Sequence, residues 1–427
     1  MYHKFNSSSK NSRRTKRVLM LQGPIGPFFS ELHQALNSHS FMVRQVLFNF
    51  GDRVFAGAKD CIRFSGSKSE WETFLRFEIT QHRPDAIILF GSSRPAHQIA
   101  RRLAEHFDVD VISLEECYLR SGYVSAEQGG NNQHSPLAQW SFTSTSRTDV
   151  NMAPTAAALG SSFATMSFWA AIYYFARDLA SKASDNHLLH RRRERVLPLI
   201  WSWGVHILCR LSARVVEFPA RRALQRSPGY ILIPLQVLSD SQIQTAARGW
   251  NTPRLIDASL DALLMAGKEQ RVVFKLHPLE RSSTAIKRLI LQKARQSKVD
   301  KHRITILHSG RMGDLTRRSS GMVLINSTSA FSALHHDIPI LALGEAVFRH
   351  DDVVTLGETE ADIAAFFKLR RVKSRTLIDA FLAELKSQSL IPGDFYVSRG
   401  RKVAIDGILE KLKQLQCASI SRKEVNV

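Results

Sequence analysis

The sequence predicts an α/β protein in which two parallel-sheet halves are joined by a basic helical segment. In residues 18–149, and again in residues 229–427, short apolar runs alternate with amphipathic stretches. This alternation is typical of β-α-β units, whose strands are buried on both faces. Residues 150–228 lack the alternation and mix arginine with aromatic side chains. We therefore predict an N-terminal and a C-terminal α/β domain with a distinct segment between them.

Residues 1–17 precede the first apolar run. They are rich in Ser and Asn and carry six Lys or Arg but no acidic residue. The apolar run that follows, Val18-Leu19-Met20-Leu21, is too short for the hydrophobic region of a signal peptide. We predict a disordered basic tail that leads into the first strand.

The first half contains four predicted strands and three predicted helices. The strands cover residues 17–22, 41–49, 85–91 and 110–114, and the helices cover residues 30–37, 69–81 and 95–106. Because a connection separates each strand from the next, the strands are expected to pair in parallel.

The middle segment combines positive charge with large apolar side chains. Between Arg177 and Arg226 it has eleven Lys or Arg and four acidic residues, with Trp201, Trp203 and Phe218 among them. Such a segment fits the surface of an anionic membrane, and a solvated helical face is the alternative. Residues 156–176 are mostly apolar but are interrupted by small and hydroxyl residues, so we predict a buried or interfacial helix and no membrane span.

The second half resumes the α/β alternation. Strands are predicted at residues 230–236, 271–277, 303–308, 322–326 and 339–344, with helices such as 255–266 and 330–336 between them. We assign all of residues 229–427 to this C-terminal domain and expect helices at its end.

Composition limits the classes of partner. A net charge of +21 and a pI near 10.2 call for nucleic acid, anionic lipid or a phosphorylated substrate. The chain contains no helix-turn-helix, zinc-finger or RNP-type motif, which argues against nucleic acid. Its four cysteines are far apart and form no CxxC motif, so we predict no metal site, no disulfide framework and a reducing cytoplasm.

Three polar clusters follow predicted strands of the second half. They are Pro234-Leu235-Gln236, Lys275-Leu276-His277-Pro278 and Asn326-Ser327-Thr328-Ser329. Because parallel strands present ligand groups at their carboxyl ends, we expect the clusters to border one crevice. Hydroxyl, imidazole and ammonium groups all donate hydrogen bonds to phosphate. The clusters therefore predict a nucleotide site.

Each of these groups also has an ordinary structural interpretation. His277 could bond a neighbouring carbonyl group, and Ser327, Thr328 and Ser329 could only cap a helix. Gln236 and Asp240 could cap a turn, or they could contact a base, a ribose or a sugar. Their joint position at strand ends of one domain favours the nucleotide site.

The first half has a candidate crevice of its own. Gly23 and Gly26 lie in the turn after the first strand, where glycine lets a ligand approach the backbone. The turn is neither a Walker loop nor GxGxxG, so no dinucleotide site is predicted. Arg94 and His97 follow the third strand, where a solvated turn is the alternative.

A richer cluster follows the fourth strand. It contains Glu116, Arg120, Tyr123, Glu127 and Asn132. Carboxylates, an arginine and a tyrosine suit sugar recognition and acid/base chemistry. A polar surface loop is the alternative, but the position at the carboxyl end of a strand favours function.

Seven ordered motifs carry a resemblance to a known family. They are GPIGPFF, FNFGD, FGSSRPAH, EECYLRSGYVSAEQGGNN, PLQVLSDSQ, KLHP and INSTSAF. In this order they resemble the bacterial capsule polysaccharide biosynthesis and export family, the β-Kdo transferases that build the lipid-linked primer of group 2 capsules. The resemblance runs from about residue 18 to at least residue 344, and the length is similar to that of single-module members.

The resemblance implies a GT-B-like enzyme that uses CMP-Kdo as donor substrate, retains the β configuration and needs no metal or other cofactor. It implies that His277-Pro278 and Ser327-Thr328-Ser329 hold the CMP, as similar elements do in sialyltransferases. It also implies that Glu116, Glu127 and Asn132 match conserved glutamate and asparagine positions of the family.

The sequence departs from the family pattern in its first half. Gly91-Ser92-Ser93-Arg94 stands where the pattern has Gly-Asp-x-Arg, and Glu116-Cys117-Tyr118 stands where it has Glu-Gly-Tyr. The motifs of the second half are intact, so CMP-sugar binding is the firmer expectation.

The resulting prediction is a glycosyltransferase of capsule assembly and export, cytoplasmic and peripheral to the inner membrane. It would transfer Kdo to a (lyso)phosphatidylglycerol-linked primer, with His277 and either Glu116 or Glu127 as the catalytic candidates. We assign donor binding to Gln236, Asp240, Lys275, His277, Pro278, Ser327, Thr328 and Ser329. We assign acceptor or sugar binding to Gly23, Gly26, Arg94, His97, Arg120, Tyr123 and Asn132. A non-catalytic partner in capsule export or assembly is the alternative.

Overall fold

The computed structural model describes residues 16–57, 60–119, 122–141, 162–179, 196–238 and 245–425. Two β-sheets organise these residues, one of seven strands and one of six. Along each central strand, successive side chains enter different clusters of the core. Val18 and Met20 of the first half pack on one face of their sheet, while Leu19 packs on the other. Both sheets are therefore covered on both faces, as the continuous apolar runs predict.

The first sheet has the strand order β13-β6-β5-β4-β1-β2-β3. Its strands from the first half are β1 (Arg17–Met20), β2 (Met42–Leu47), β3 (Cys61–Arg63), β4 (Ala86–Phe90), β5 (Asp110–Glu116) and β6 (Tyr123–Gln128). The helices are α1 (Phe28–Ser38), α2 (Phe50–Phe55), α3 (Trp71–His82) and α4 (Pro95–His106). Strands β1 to β5 run parallel, and β6 pairs antiparallel with β5.

The middle segment forms α5 (Phe163–Leu179), α6 (Val196–Val216) and α7 (Phe218–Arg226). Helix α5 packs on α2 of the first half. Buried Glu217, between α6 and α7, accepts hydrogen bonds from the backbone N–H groups of His308 and Ser309 in the second half. The segment therefore contacts both halves.

The second sheet is parallel throughout, with the order β12-β11-β10-β7-β8-β9. Its strands are β7 (Tyr230–Pro234), β8 (Val272–Lys275), β9 (Ile304–Leu307), β10 (Ser319–Leu324), β11 (Ile340–Ala342) and β12 (Thr355–Leu356). Its helices are α8 (Thr252–Met265), α9 (Ser283–Gln296), α10 (Met312–Thr316), α11 (Ala330–His335) and α12 (Glu360–Lys368). Strand order reverses between β7 and β10, and in such sheets ligands bind outside the carboxyl ends of the strands at the reversal.

The C-terminal segment returns to the first sheet. It consists of α13 (Arg375–Ser389), β13 (Leu390–Pro392) and α14 (Ser398–Val425). Strand β13 pairs antiparallel with β6, and Arg401 of α14 donates to both carboxylate oxygens of Glu31 in α1 at 2.7 and 2.8 Å. Assigning all of residues 229–427 to the second domain was therefore wrong for β13 and α14. Only three residues make the returning strand, too few for a periodic pattern.

Candidate functional site

A cavity of about 590 Å³ lies outside the carboxyl ends of β7, β8 and β10, where the strand order of the second sheet reverses. Pro234 ends β7, Lys275 ends β8, and Ser327 follows β10. All three line the cavity. The crevice expected from the strand ends is thus present.

The cavity brings together most of the residues predicted to bind the donor. Lys275, His277, Pro278, Ser327, Thr328 and Ser329 all line it. Gln236 is not among the lining residues. Asp240 lies outside the described residues.

His277 has a defined orientation at the cavity wall. The backbone N–H of Leu279 donates to its Nδ1 at 3.1 Å. An Nδ1 that accepts a hydrogen bond carries no proton, so the neutral ring is protonated at Nε2. The imidazole can therefore donate a hydrogen bond from Nε2, as support of a phosphate oxygen requires.

Lys275 brings positive charge to the same wall. It is buried, and its Nζ donates to the carbonyl groups of Leu276 and His308 at 2.9 and 3.0 Å. His308 is also buried, and burial lowers its pKa to about 4, with Lys275 acting in the same direction. Lys275 thus places its charge at the carboxyl edge while His308 stays neutral at neutral pH.

The hydroxyl cluster stands on the opposite side of the strand reversal. Ser329 N–H donates to Ser327 Oγ at 3.3 Å, and Ser327 Oγ donates to Ser329 Oγ at 3.2 Å. These bonds hold the turn between β10 and α11 in one conformation. The hydroxyl groups of Ser327, Thr328 and Ser329 can therefore be presented to a ligand without reordering the turn.

The first half closes one side of the cavity. Tyr118 and Leu119, which follow β5, line it beside Phe331 of α11. The Tyr118 and Phe331 rings stack with centroids 5.8 Å apart. Asn132 Oδ1 also accepts from the backbone N–H of Val347 in the second half at 3.1 Å. The cavity is therefore an inter-half site.

The middle segment supplies a cationic residue that the motifs did not indicate. Arg210 of α6 lines the cavity, and His206, one turn earlier, has its Nε2 2.8 Å from the carbonyl oxygen of Pro278. Arg311, in the loop after β9, also lines the cavity. Within the described part of the chain, neither guanidinium has a hydrogen bond or an ion pair. Both are available to an anionic ligand.

A sequence signal existed for Arg311 but was overlooked. It stands between Gly310 and Gly313 just after a predicted strand, the same position that drew attention to His277. Arg210 lacked such a signal, because α6 has no strand end to place it. Only its spacing of four residues from His206 puts both on one helix face.

Glu127 lies inside the protein behind the cavity wall. It is 1% exposed and accepts from Tyr118 Oη at 2.6 Å and from Ser389 Oγ at 2.7 Å. Asn131 and Ser135 donate to it as well. It belongs to β6, so residues 123–128 form a largely buried strand and not the polar surface loop that was the alternative. Through these hydrogen bonds, the Glu127 carboxylate connects β6 to α13 and to the segment that contains Tyr118.

Glu116 occupies a different environment at the end of β5. It is exposed, and Tyr396 Oη donates to its Oε1 at 2.7 Å. Tyr396 belongs to the segment between β13 and α14. Neither Glu116 nor Glu127 is among the residues that line the cavity.

The predicted acceptor residues do not assemble around the large cavity. Gly23 and Gly26 border a small pocket of about 20 Å³ together with Tyr173 of α5. A Cβ at Gly23 would lie 2.3 Å from the Phe29 ring, so packing alone requires glycine there. Arg94 donates to Gln22 at 3.0 Å. Buried His97 has its Nδ1 2.7 Å from the carbonyl oxygen of Gly91.

The other acceptor-side residues are dispersed. Tyr123 lies in β6 opposite Pro392, and Asn132 is buried between the halves. Arg120 lies outside the described residues. The structure therefore brings most of the predicted donor-binding residues together, whereas the predicted acceptor-binding residues that it describes lie apart.

Comparison with known proteins identifies the family. The family model described as "Capsule polysaccharide biosynthesis protein" matches residues 85–396. The chain belongs to this family. It is 27% identical to the capsule polysaccharide modification protein LipB of Neisseria meningitidis serogroup B, over 89% of this chain and 92% of LipB. It is 28% identical to the capsule polysaccharide export protein KpsS of Escherichia coli, over 78% of this chain and 86% of KpsS.

The solved structures that align with this chain have low sequence identity. The β-Kdo 2,7 transferase of Thermosulfurimonas dismutans KpsC aligns with 12% identity and a TM-score of 0.42, over 94% of this chain and all of that one. The capsule-family match in this chain begins at β4 and ends in the segment after β13. It therefore includes every residue that lines the large cavity.

Two further observations describe the site and the middle segment. Among the described residues, no group of three or more His, Cys, Asp or Glu side chains is placed to hold a metal ion. No described helix is both long and apolar enough to cross a membrane.

Proposed function

We propose that this capsule-family protein is a glycosyltransferase that moves Kdo from CMP-Kdo to a phosphatidylglycerol-type acceptor and retains the β configuration. One observation carries the proposal: a single inter-half cavity at the strand reversal unites the His277-Pro278 element, the Ser327–Ser329 hydroxyls and Tyr118 of the first half. This is where an α/β sheet binds a nucleotide, and its lining donates hydrogen bonds.

The leaving group determines what the donor side must do. When the glycosidic bond to the CMP phosphate breaks, negative charge develops on the phosphate oxygen. His277 Nε2–H and the hydroxyl cluster can donate to that charge, and Lys275 adds to the positive potential. Arg210 and Arg311 suit the carboxylate of the sugar, because a guanidinium pairs with a carboxylate through two hydrogen bonds.

Retention at the anomeric carbon calls for a carboxylate that acts as nucleophile or stabilises the ion pair. Our candidates remain Glu116 and Glu127. Glu127 accepts four hydrogen bonds in the interior, so it would need Tyr118 to move before it could reach the sugar. Glu116 is exposed, and Tyr396 is the group that orients it.

The middle segment supports a position on the membrane surface. The inner face of α6 is narrow and contains buried His206 and Ala213, and buried Glu217 follows directly after the helix. The rest of the helix turns large apolar side chains to solvent, with Trp201 76%, Leu208 68% and Val215 75% exposed. Others on this arc are Ile200, Val205, Ile207, Leu211 and Val216.

An apolar helix face in water is costly unless something covers it. Lipid is the cover we propose, because the segment also carries excess positive charge that attracts anionic head groups. Arg191, Arg192 and Arg193, which contribute to this charge, lie outside the described residues. We define the α6 membrane face as Ile200, Trp201, Val205, Ile207, Leu208, Leu211, Val215 and Val216.

The catalytic proposal is tested with purified protein, CMP-Kdo generated in situ and a fluorescent lysophosphatidylglycerol. We expect a product whose mass is increased by one or more Kdo units, and we expect the His277→Ala variant to form it at least about tenfold more slowly. A wild-type protein that binds CMP but never yields this product would instead be a non-catalytic partner in capsule export or assembly.

The membrane proposal has a separate test. The wild type should sediment with vesicles that contain phosphatidylglycerol and much less with phosphatidylcholine vesicles, and high salt should weaken the binding. Trp201→Glu with Leu208→Glu should abolish sedimentation but leave CMP affinity unchanged. Equal binding to both vesicle types, or full binding by the double variant, would contradict the proposed surface.

A further inference from the structure

A second cleft lies beside the large cavity. It has a volume of about 230 Å³ and lies between α7 and α10. Gly310 and Arg311 form a wall common to the cleft and the cavity. Leu224, Leu315 and Tyr230 provide an apolar floor. A group bound in the cleft would therefore lie next to a ligand in the cavity.

The charge of this cleft is strongly positive. Arg221, Arg311 and Arg318 line it, against the single carboxylate of Asp314. Arg221 donates to Ser309 Oγ and to the carbonyl oxygen of Arg214, and Arg318 donates to the carbonyl oxygen of Asp314. Within the described residues, none of the three guanidinium groups has a carboxylate partner. Three arginines against one carboxylate leave the cleft with a net positive charge, which is suited to an anion.

The cleft also adjoins the α6 membrane face. Val215 and Val216 are 75% and 76% exposed at the end of α6, and Arg221 follows on α7 after little more than one helical turn. Apolar residues that would enter the acyl region are thus followed along the chain by arginines that line a concave surface. A phospholipid has a matching order, because its apolar acyl chains are followed by an anionic head group.

We propose that this arginine cleft binds the phosphate group of the lipid acceptor and so presents its head group to the donor cavity. The inference rests on the proposed transfer to a phosphatidylglycerol-type acceptor. The recognised chemistry is a phosphate anion, and a lipid head group and free phosphate are its two sources. Arg318 is the most informative residue, because it lines the cleft but not the cavity.

The test compares Arg318→Gln with Arg226→Gln. Both variants lose one positive charge, but Arg226 is exposed on α7 and does not line the cleft. Binding of lysophosphatidylglycerol micelles is measured without donor, alongside titrations with inorganic phosphate, glycerol 3-phosphate and CMP. Arg318→Gln should weaken micelle and glycerol 3-phosphate binding about tenfold or more, while CMP binding and the thermal midpoint stay unchanged.

The conservative variant sharpens the result. Arg318→Lys keeps the charge but not the paired donors, so we expect an intermediate loss. Equal micelle binding by Arg318→Gln and Arg226→Gln would overturn the proposal. Loss of inorganic phosphate binding alone, with micelle binding intact, would overturn the assignment to lipid. Because binding is measured without donor, these outcomes are independent of whether the protein transfers Kdo.

Discussion

The two sheets have similar architecture, but their carboxyl edges differ. The edge of the second sheet opens into a cavity of about 590 Å³, whereas the corresponding edge of the first leaves a pocket of about 20 Å³. The difference comes from α5. Its Tyr173 is 1% exposed, accepts from Asn49 Nδ2 at 2.8 Å and donates to Asp52 at 3.1 Å. The carboxyl edge of the first sheet is therefore filled by α5 of the same chain.

The contrast between the two edges limits what polar residues at strand ends reveal about ligand sites. Polar residues after a parallel strand indicate a ligand site only when no other element of the chain occupies the edge. Gln22 follows β1 and Asp52 follows β2 along the chain, yet both contact Tyr173. A donor cavity and a filled edge therefore look alike in sequence.

The largest expected effect concerns the filled edge. Tyr173→Ala removes a buried aromatic ring and its hydroxyl partners, so it should lower the free energy of unfolding by about 3–5 kcal/mol. Urea denaturation measures this value, and CMP affinity is measured on the folded fraction. Tyr174→Ala, the neighbouring and less buried tyrosine, is the control. If Tyr173→Ala loses no more stability than this control, α5 does not plug the edge.

A second comparison sets the two glutamates against each other. Glu127→Gln places an amide among four hydrogen-bond donors and should cost about 2–3 kcal/mol of stability, whereas exposed Glu116→Gln should cost little. Denaturation and transfer assays are run on both. Transfer that survives both substitutions in folded proteins would exclude these residues as the catalytic carboxylate.

The smallest effect is a pH dependence in the donor half. Burial lowers the pKa of His308 to about 4, from the ordinary histidine value of about 6.5. Between these two pH values the unfolded chain binds the proton more strongly, so the free energy of unfolding decreases as the pH is lowered. From pH 7.5 to pH 5.5 this loss is about 1 kcal/mol. His308→Phe should reduce the loss of unfolding free energy over this range, and exposed His302→Phe should not. Identical pH profiles for wild type and His308→Phe would contradict the assignment.

Local patterns predicted much of the fold. Helix α4 has the predicted bounds, and the predicted core strands were found with ends shifted by a few residues. The pairing of β13 with β6 was missed because it joins Leu390–Pro392 to a strand far away in sequence. Three-residue strands carry almost no periodic signal. Pairing of this kind depends on tertiary packing.

The site was predictable to a similar degree. His277 and Ser327–Ser329 were found because strand ends and motifs coincide there. Arg210 was missed because its position at the cavity depends on how α6 packs on the loop of Pro278. The burial of Glu127 could not be predicted, because its hydrogen-bond donors Tyr118 and Ser389 come from separate segments of the chain. Sequence patterns indicate where a strand ends but not which helix covers it.

The central claim is that the open edge of the second sheet binds the CMP portion of the donor, and CMP affinity tests it most directly. Titration calorimetry would compare wild type with His277→Ala and with His302→Ala, an exposed histidine of the same half that does not line the cavity. Loss of a charge-assisted hydrogen bond should weaken CMP binding by about tenfold or more in His277→Ala, with no change in His302→Ala. Equal CMP affinity in all three proteins, or no CMP binding by the wild type, would contradict the account.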